Sequence, residues 1–125
     1  MNLLLDTHVL IWALENHPSL SGKARDAIID GKNIVFVSSA SAWEISIKKA
    51  MGKLKAPDNL GEEIKLHRFT QLNMNFDHAK LAGELPDIHK DPFDRMLIAQ
   101  AMIEKLTLVT RNSLIAKYDV SLLKA

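Results

Sequence analysis

The sequence predicts an α/β fold built around a parallel sheet. Short apolar runs rich in β-branched residues alternate along the chain with longer segments whose apolar residues have helical spacing. One of these runs, residues 34–37, is apolar on both faces, as strands in buried parallel sheets are. Helices placed between such strands provide the right-handed crossovers that parallel pairing requires.

The first half of the chain predicts two strands and three helices. Residues 2–5 form an apolar run that ends at Asp6, and Val9 to Leu14 continue it with helical spacing. A serine at position 19 or 21 can cap the second helix, and Gly31 and Gly52 follow the second and third helices. The predicted strands are 2–5 and 34–37, and the predicted helices are 7–14, 21–30 and a segment introduced by residues 38–41 and closed by Gly52.

The second half predicts three further strands and four helices. Pro86 breaks one helix, and Pro92 opens a long helix with an apolar face that extends to Ile103. The predicted helices are 57–67, 77–85, 92–103 and a short one at 113–117, and the predicted strands are 70–72, 106–109 and 120–123.

Length and composition predict one domain over residues 1–125. The chain is 47% hydrophobic and 25% charged, and a core of this size is feasible without disulfides. The sequence contains no cysteine, which excludes thiolate catalysis and cysteine-ligated zinc and fits the reducing cytoplasm. The start lacks the pattern of a signal peptide, and no apolar run is long enough to span a membrane. A net charge of +1 means that any RNA contact depends on local patches.

Polar residues follow several of the predicted strands. Asp6 follows the first strand, Glu44 lies in the helix after the second, Asp91 and Asp94 open the long helix, and Thr110 and Asn112 follow a later strand. Ligands of parallel sheets bind at the carboxyl ends of strands, near the point where the strand order reverses. We therefore expect these side chains to meet at one edge of the sheet.

Carboxylates that converge on one pocket point to a metal ion. They repel one another unless a divalent cation supplies compensating positive charge. A site rich in hard oxygen ligands favours magnesium or manganese. Such an ion can lower the pKa of a water molecule and offset the charge on a phosphate, which is the chemistry of phosphodiester hydrolysis.

Helix capping is an alternative explanation for each acid. Asp6 can cap the first helix, Ser41 and Glu44 have the spacing of a capping box, and Asp91 and Asp94 flank a proline at a helix start. Taken singly, Glu44 and Asp91 are better explained as capping residues. Acids that follow apolar strands in several separate segments favour the metal site.

Four segments resemble the PIN-domain nucleases of the VapC toxin type, over essentially the whole chain. They are residues 3–8, 41–45, 91–101 and 108–112, and the third is the most specific. The resemblance implies a three-layer α/β/α fold with a central, mainly parallel sheet. It also implies a magnesium-dependent endoribonuclease, with manganese as a possible substitute, that is the toxin of a type II toxin–antitoxin pair.

The same resemblance implies the roles of individual residues. Asp6, Glu44 and Asp94 would be the catalytic acids that hold the magnesium, with Asp91 as an accessory. Asn112 stands where the family usually has an aspartate, so it keeps an oxygen and loses a charge. A second ion would therefore be held weakly, which favours catalysis with a single metal.

Further polar residues near these acids are candidates for RNA contact. Arg111 and Arg95 lie beside acidic positions, and Arg111 is preferred because a planar guanidinium grips phosphate through two hydrogen bonds. Thr110 can position water or RNA, although local hydrogen bonds in a polar loop explain it equally well. Lys48 and Lys49 are better explained as solvated surface charge. The five histidines have no metal-site spacing and are expected at the surface or in turns.

The resemblance also implies partners, namely an RNA substrate, a cognate antitoxin and a second copy of the chain in a homodimer. Phosphate-binding glycine loops, dinucleotide fingerprints and serine-hydrolase motifs do not occur in the sequence. Because Asn112 replaces the usual aspartate, a second class of function is also considered, namely a catalytically weak PIN-fold module that binds RNA or protein.

Overall fold

A five-stranded sheet with the strand order β3-β2-β1-β4-β5 forms the centre of the molecule. The computed structural model describes residues 1–125. The strands are β1 (Asn2–Leu5), β2 (Ile34–Ser38), β3 (Thr70–Leu72), β4 (Thr107–Thr110) and β5 (Leu122–Lys124). Every neighbouring pair is parallel, which confirms the predicted sheet. The strand order reverses between β1 and β4.

Six α-helices and a short 3₁₀ helix connect the strands. They are α1 (Thr7–Glu15), α2 (Gly22–Ile29), α3 (Ser39–Ala50), α4 (Leu60–Leu66), α5 (Phe76–Glu84), α6 (Pro92–Glu104) and the 3₁₀ helix Ile115–Lys117. None of these helices combines the length and apolar character needed to cross a membrane.

The central strand β1 is buried on both faces. Leu3 and Leu5 pack on one side with residues of α1, α2 and α4, whereas Leu4 packs on the other with residues of α6 and the 3₁₀ helix. All three leucines are fully buried. This alternation follows from the two-residue period of a strand and confirms the three-layer α/β/α architecture.

The register of β1 brings the ends of three strands level. Leu5 lies opposite Val37 of β2 and Val109 of β4. The backbone N–H of Asp6 donates to the carbonyl of Val109 over 3.1 Å. The residues that follow these strands, including Asp6, therefore emerge side by side at the carboxyl edge of the sheet.

Helix α3 begins earlier than the capping-box pattern implies. Its N-cap is Ser38, whose hydroxyl accepts a hydrogen bond from the N–H of Ala40. Glu44 is consequently in the second turn of the helix, and the capping explanation for Glu44 is wrong. Smaller differences are the start of α4 at Leu60 and the reduction of the last short helix to a 3₁₀ turn.

One histidine lies in the core, against the expectation that all five lie at the surface or in turns. His78 is 1% exposed, and its Nδ1 accepts from the N–H of Asn75 in a capping box at the start of α5. Its Nε2 lies 2.9 Å from the carboxylate of Glu104. Burial is possible because both ring nitrogens have partners, which removes the usual cost of a buried polar group.

Candidate active site

Four acidic side chains line one cavity at the carboxyl edge of the sheet, beside the point where the strand order reverses. They are Asp6, Glu44, Asp91 and Asp94, and Asn112 lies with them. The cavity has a volume of about 450 Å³. Its other lining residues are Thr7, His8, Trp12, Lys48, His89 and Arg111. The expected convergence of these polar segments is therefore observed.

Asp6 is held at both carboxylate oxygens. As the N-cap of α1, it accepts the N–H of Val9 at Oδ1 over 2.8 Å, and it accepts the hydroxyl of Thr110 at Oδ2 over 2.5 Å. Burial raises the pKa of Asp6, these two hydrogen bonds oppose that rise, and the charge of Glu44 adds to it. Asp6 is thus a carboxylate held in a fixed orientation in the lining of the cavity.

The start of α6 supplies two more acids. Asp91 is the N-cap and accepts the N–H groups of Phe93 and Asp94 at Oδ1, so its capping role is confirmed. The side chain of Asp94 makes no capping hydrogen bond, and its Oδ2 lies 2.7 Å from Nε2 of His89. Burial raises the pKa of Asp94, and the charges of Asp91 and Asp6 raise it further, while His89 opposes them.

Glu44 reaches the cavity from the buried side of α3. It is 5% exposed, and its Oε1 accepts the hydroxyl of Thr7 over 2.7 Å. Its Oε2 forms an ion pair with Lys48, one turn further along the helix. The hydroxyl of Thr7 and the ammonium group of Lys48 therefore provide partners for both carboxylate oxygens of this buried side chain.

Asn112 presents its amide nitrogen to the acids. Its Oδ1 accepts the N–H of Leu114 over 2.9 Å, and its Nδ2 lies 3.5 Å from Oδ2 of Asp94. The expectation that Asn112 offers an oxygen to a metal therefore disagrees with this geometry. The backbone N–H of Leu114 needs an acceptor in the loop, and the amide oxygen provides it.

The two arginines predicted to bind RNA lie in different places. Arg111 lines the cavity, with its guanidinium 4.7 Å from the ring centre of Trp12 and with Nε donating to the carbonyl of Ala125. Arg95 does not line the cavity. Its guanidinium donates instead to four backbone carbonyls, those of Ala82, Leu85, Pro86 and His89.

A sequence model of the PIN domain matches residues 3–121. The chain belongs to the PIN domain family. Among curated proteins it is similar to ribonuclease VapC16 of Mycobacterium tuberculosis, at 33% identity over 72 residues. That match covers 53% of this chain and 51% of the relative, so the aligned region spans about half the length of the curated protein.

Solved structures share the fold of this PIN domain. The VapBC2 structure from Rickettsia felis, bound to a DNA fragment from its promoter, has a TM-score of 0.72 at 19% identity. The DNA-bound VapBC structure from Salmonella typhimurium has a TM-score of 0.71 at 19% identity. Each match covers 99% of this chain and 98% of the other. The PIN-like fold expected from the sequence is therefore confirmed.

Several cavity residues of this PIN domain were not assigned to the site from the sequence, among them His89, Lys48 and Trp12. His89 lies in the loop before α6, where no periodic pattern indicates the direction of a side chain. Lys48 follows Glu44 by four residues, a helical spacing that does indicate an ion pair. The hydrogen bond and charge of Glu44 raise the pKa of Lys48, and the charges of Asp91 and Asp94 also contribute.

The donor atoms of the PIN-domain cavity fit a small, hard divalent cation. As they stand, no three of its aspartate, glutamate or histidine side chains converge tightly enough to form a closed metal site. However, one oxygen each of Asp91 and Asp94 makes no hydrogen bond. Mutual repulsion also contributes to the raised pKa of Asp6 and of Asp94. An ion that keeps part of its water shell matches such an open, oxygen-rich set.

A larger cavity of about 730 Å³ lies near the amino ends of β2 and β3. It is lined by residues of α2, by the turn at residues 30–33 and by residues 67–70 before and within β3. Asp30 is its one carboxylate. Its size alone therefore does not make it a candidate for phosphodiester chemistry.

Proposed function

We propose that the chain is a magnesium-dependent endoribonuclease that works with a single metal ion, and that it is the toxin of a type II toxin–antitoxin pair. The observation that carries this proposal is the convergence of Asp6, Glu44 and Asp94 on one cavity beside the strand-order reversal of a PIN fold. Manganese is the expected substitute, because it prefers the same oxygen ligands.

In this proposal Asp6, Glu44 and Asp94 hold the ion, with Asp91 as an accessory. When bound, the ion supplies an activated water and offsets negative charge on the scissile phosphate. Thr110 keeps Asp6 in place through its hydroxyl, and His89 keeps one oxygen of Asp94 in place. The free oxygen of Asp94 is then available to the ion.

Arg111 is the proposed RNA contact at the rim of the cavity. Nε and one terminal nitrogen donate to backbone carbonyls, and the other terminal nitrogen makes no hydrogen bond. That nitrogen can donate to a phosphate without any rearrangement of the loop. The two carbonyl contacts and Trp12 fix the guanidinium plane, which reduces the entropy lost on binding.

Cleavage of a mixed RNA pool tests the proposed activity. The purified protein is assayed with magnesium, with manganese and with a chelator, beside Asp6→Asn and the matched control Asp77→Asn. Asp77 is an exposed acid in the first turn of α5, outside the cavity. We expect metal-dependent cutting by the parent and by Asp77→Asn, with loss in Asp6→Asn. Cutting that persists in Asp6→Asn would refute the site.

The same proposal includes a cognate antitoxin, a homodimer and a cytoplasmic location. The structural neighbours named above are toxin–antitoxin complexes. Trp43 is 57% exposed and packs edge-on against Phe93, which leaves an apolar surface near the cavity for a protein partner. Light scattering of the purified chain tests the dimer, and Trp43→Lys is expected to convert it to a monomer. A monomeric parent would exclude this part of the proposal.

Asn112 favours one alternative, a PIN-fold module that binds RNA without efficient cleavage. Here the amide of Asn112 donates toward Asp94, so one negative charge usual in the family is missing from the cavity. RNA binding by the folded parent, without cutting in either metal, would support this alternative. Metal-dependent cutting that Asp6→Asn abolishes would exclude it.

A further inference from the structure

A second, smaller cavity opens beside the acidic one. It has a volume of about 230 Å³ and is lined by Thr7, His8, Ile11, Glu44, Lys48, Lys53 and Leu54. Four of these residues, Thr7, His8, Glu44 and Lys48, also line the acidic cavity. The two cavities therefore share a wall and lie along one continuous surface.

The end of α3 places two lysines at this second cavity. Gly52 has a φ of +70°, a left-handed conformation that favours glycine, and its N–H donates to the carbonyl of Lys49. The N–H of Lys53 then donates to the carbonyl of Lys48 over 2.9 Å. This pair of bonds is the usual glycine-based helix ending, and it returns Lys53 to the side of the helix where Lys48 lies.

The lysines near the end of α3 differ in their partners. Lys49 pairs with the exposed Asp58 at 2.5 Å and does not line the cavity. Lys48 pairs with Glu44 at the shared wall. Lys53 makes no ion pair, so its charge is available to a ligand.

We propose that Lys48 and Lys53 form a subsite for the RNA phosphate next to the one that is cleaved. This inference rests on the proposed ribonuclease function and deepens it. The acidic cavity repels the RNA backbone until a metal ion is bound, so a strand that crosses it needs positive charge nearby. The second cavity is small and has no tryptophan, tyrosine or phenylalanine in its lining, which suits a phosphate better than a stacked base.

The subsite also defines a path for the RNA strand across the protein surface. Arg111 lines the acidic cavity but not the second cavity, whereas Lys53 lines the second cavity alone. An RNA strand would pass Arg111, cross the carboxylates and leave past Lys53. Positive side chains on both sides of the acids would hold the scissile phosphate between them.

The salt dependence of RNA binding tests this subsite. Binding of a labelled single-stranded RNA is measured at several salt concentrations with fixed magnesium, in the Asp6→Asn background to suppress cleavage. One lost phosphate contact lowers the slope of log affinity against log salt by about 0.7. Over a fourfold rise in salt, Lys53→Gln should therefore lose roughly 2.6-fold less affinity than its parent.

Lys49→Gln is the matched control, because it removes the same charge from a lysine outside the cavity. We expect its slope to equal that of the parent, and we expect Lys48→Gln to lower it. In the wild-type background, Lys53→Gln should raise KM and leave kcat unchanged, because its contact lies away from the bond that breaks.

Equal slopes for Lys49→Gln and Lys53→Gln would overturn the subsite and leave the ribonuclease proposal intact if metal-dependent cleavage is observed. A wild-type protein that neither binds nor cleaves RNA in magnesium would overturn both.

Discussion

Replacing Arg95 with methionine should destabilise the fold by about 2–4 kcal/mol, with little direct effect on RNA contacts. The sequence alone suggested that Arg95 binds RNA. In the structure, its guanidinium lies between the end of α5 and the loop that leads to α6. It donates to carbonyls of both segments over 2.9–3.1 Å.

The magnitude follows from the number of carbonyls that would lose their hydrogen-bond donor at positions only partly accessible to water. Leu85 and Ala82 are buried residues whose carbonyls accept from Arg95, whereas the contact with Pro86 is exposed. A hydrogen bond to a charged group contributes about 1.5–3 kcal/mol, so the two part-buried contacts with Ala82 and Leu85 set an upper value of roughly 6 kcal/mol. Partial entry of water reduces the expected loss to about 2–4 kcal/mol.

Urea unfolding measures this loss, and Arg95→Lys separates the two roles. Lysine keeps the positive charge but lacks the planar fork that reaches several carbonyls at once. We expect both variants to lower the free energy of unfolding and methionine to lower it more. Arg111→Met serves as the comparison for RNA binding, since that guanidinium lines the cavity. An Arg95→Met protein of unchanged stability that binds RNA poorly would refute this reasoning and support the RNA-binding role.

The acids of the cavity give three further predictions. Burial is the main cause of the raised pKa values of Asp6 and Asp94, so these two groups bind protons more readily in the folded protein than in the unfolded chain. Without metal, the free energy of unfolding should therefore rise as the pH falls from neutral through the folded-state pKa values. Urea unfolding in chelator over a pH series would show no such rise if these groups titrate normally. Asp94→Asn should increase the metal-free stability and weaken that pH dependence, and a less stable variant would contradict the raised pKa. Asn112→Asp should tighten magnesium or manganese binding by about 1–2 kcal/mol, roughly tenfold, and an unchanged calorimetric titration would place that position outside the metal site.

The positions of Asp6 and Thr110 could be predicted because they depend on topology. Both follow apolar strands, and parallel pairing brings the carboxyl ends of β1 and β4 together. The same reasoning located the start of α6, where the order of Asp91, a proline and Asp94 is a local signal. These features are encoded by short runs of sequence and by the general rules of α/β sheets.

The positions of His89, Lys53 and the guanidinium of Arg95 could not be predicted in the same way. His89 lies in a loop whose path is set by carbonyls that Arg95 holds. The position of Lys53 depends on the left-handed turn at Gly52. Such placements result from tertiary contacts and single backbone torsions, which periodicity and propensity do not contain. The burial of His78 is a further case, since it depends on Glu104 from another helix.

Helix capping and metal binding are compatible roles for the acids of this site. Asp6 caps α1 and Asp91 caps α6, so the N-termini of two helices lie at the acidic cavity. A helix N-terminus carries a partial positive charge, which offsets some of the repulsion among the carboxylates before any cation arrives. The capping bonds also fix one oxygen of each acid, which orients the other. From the sequence alone, capping and metal binding are alternative explanations for these acids. In the folded chain, capping helps these acids to lie close together.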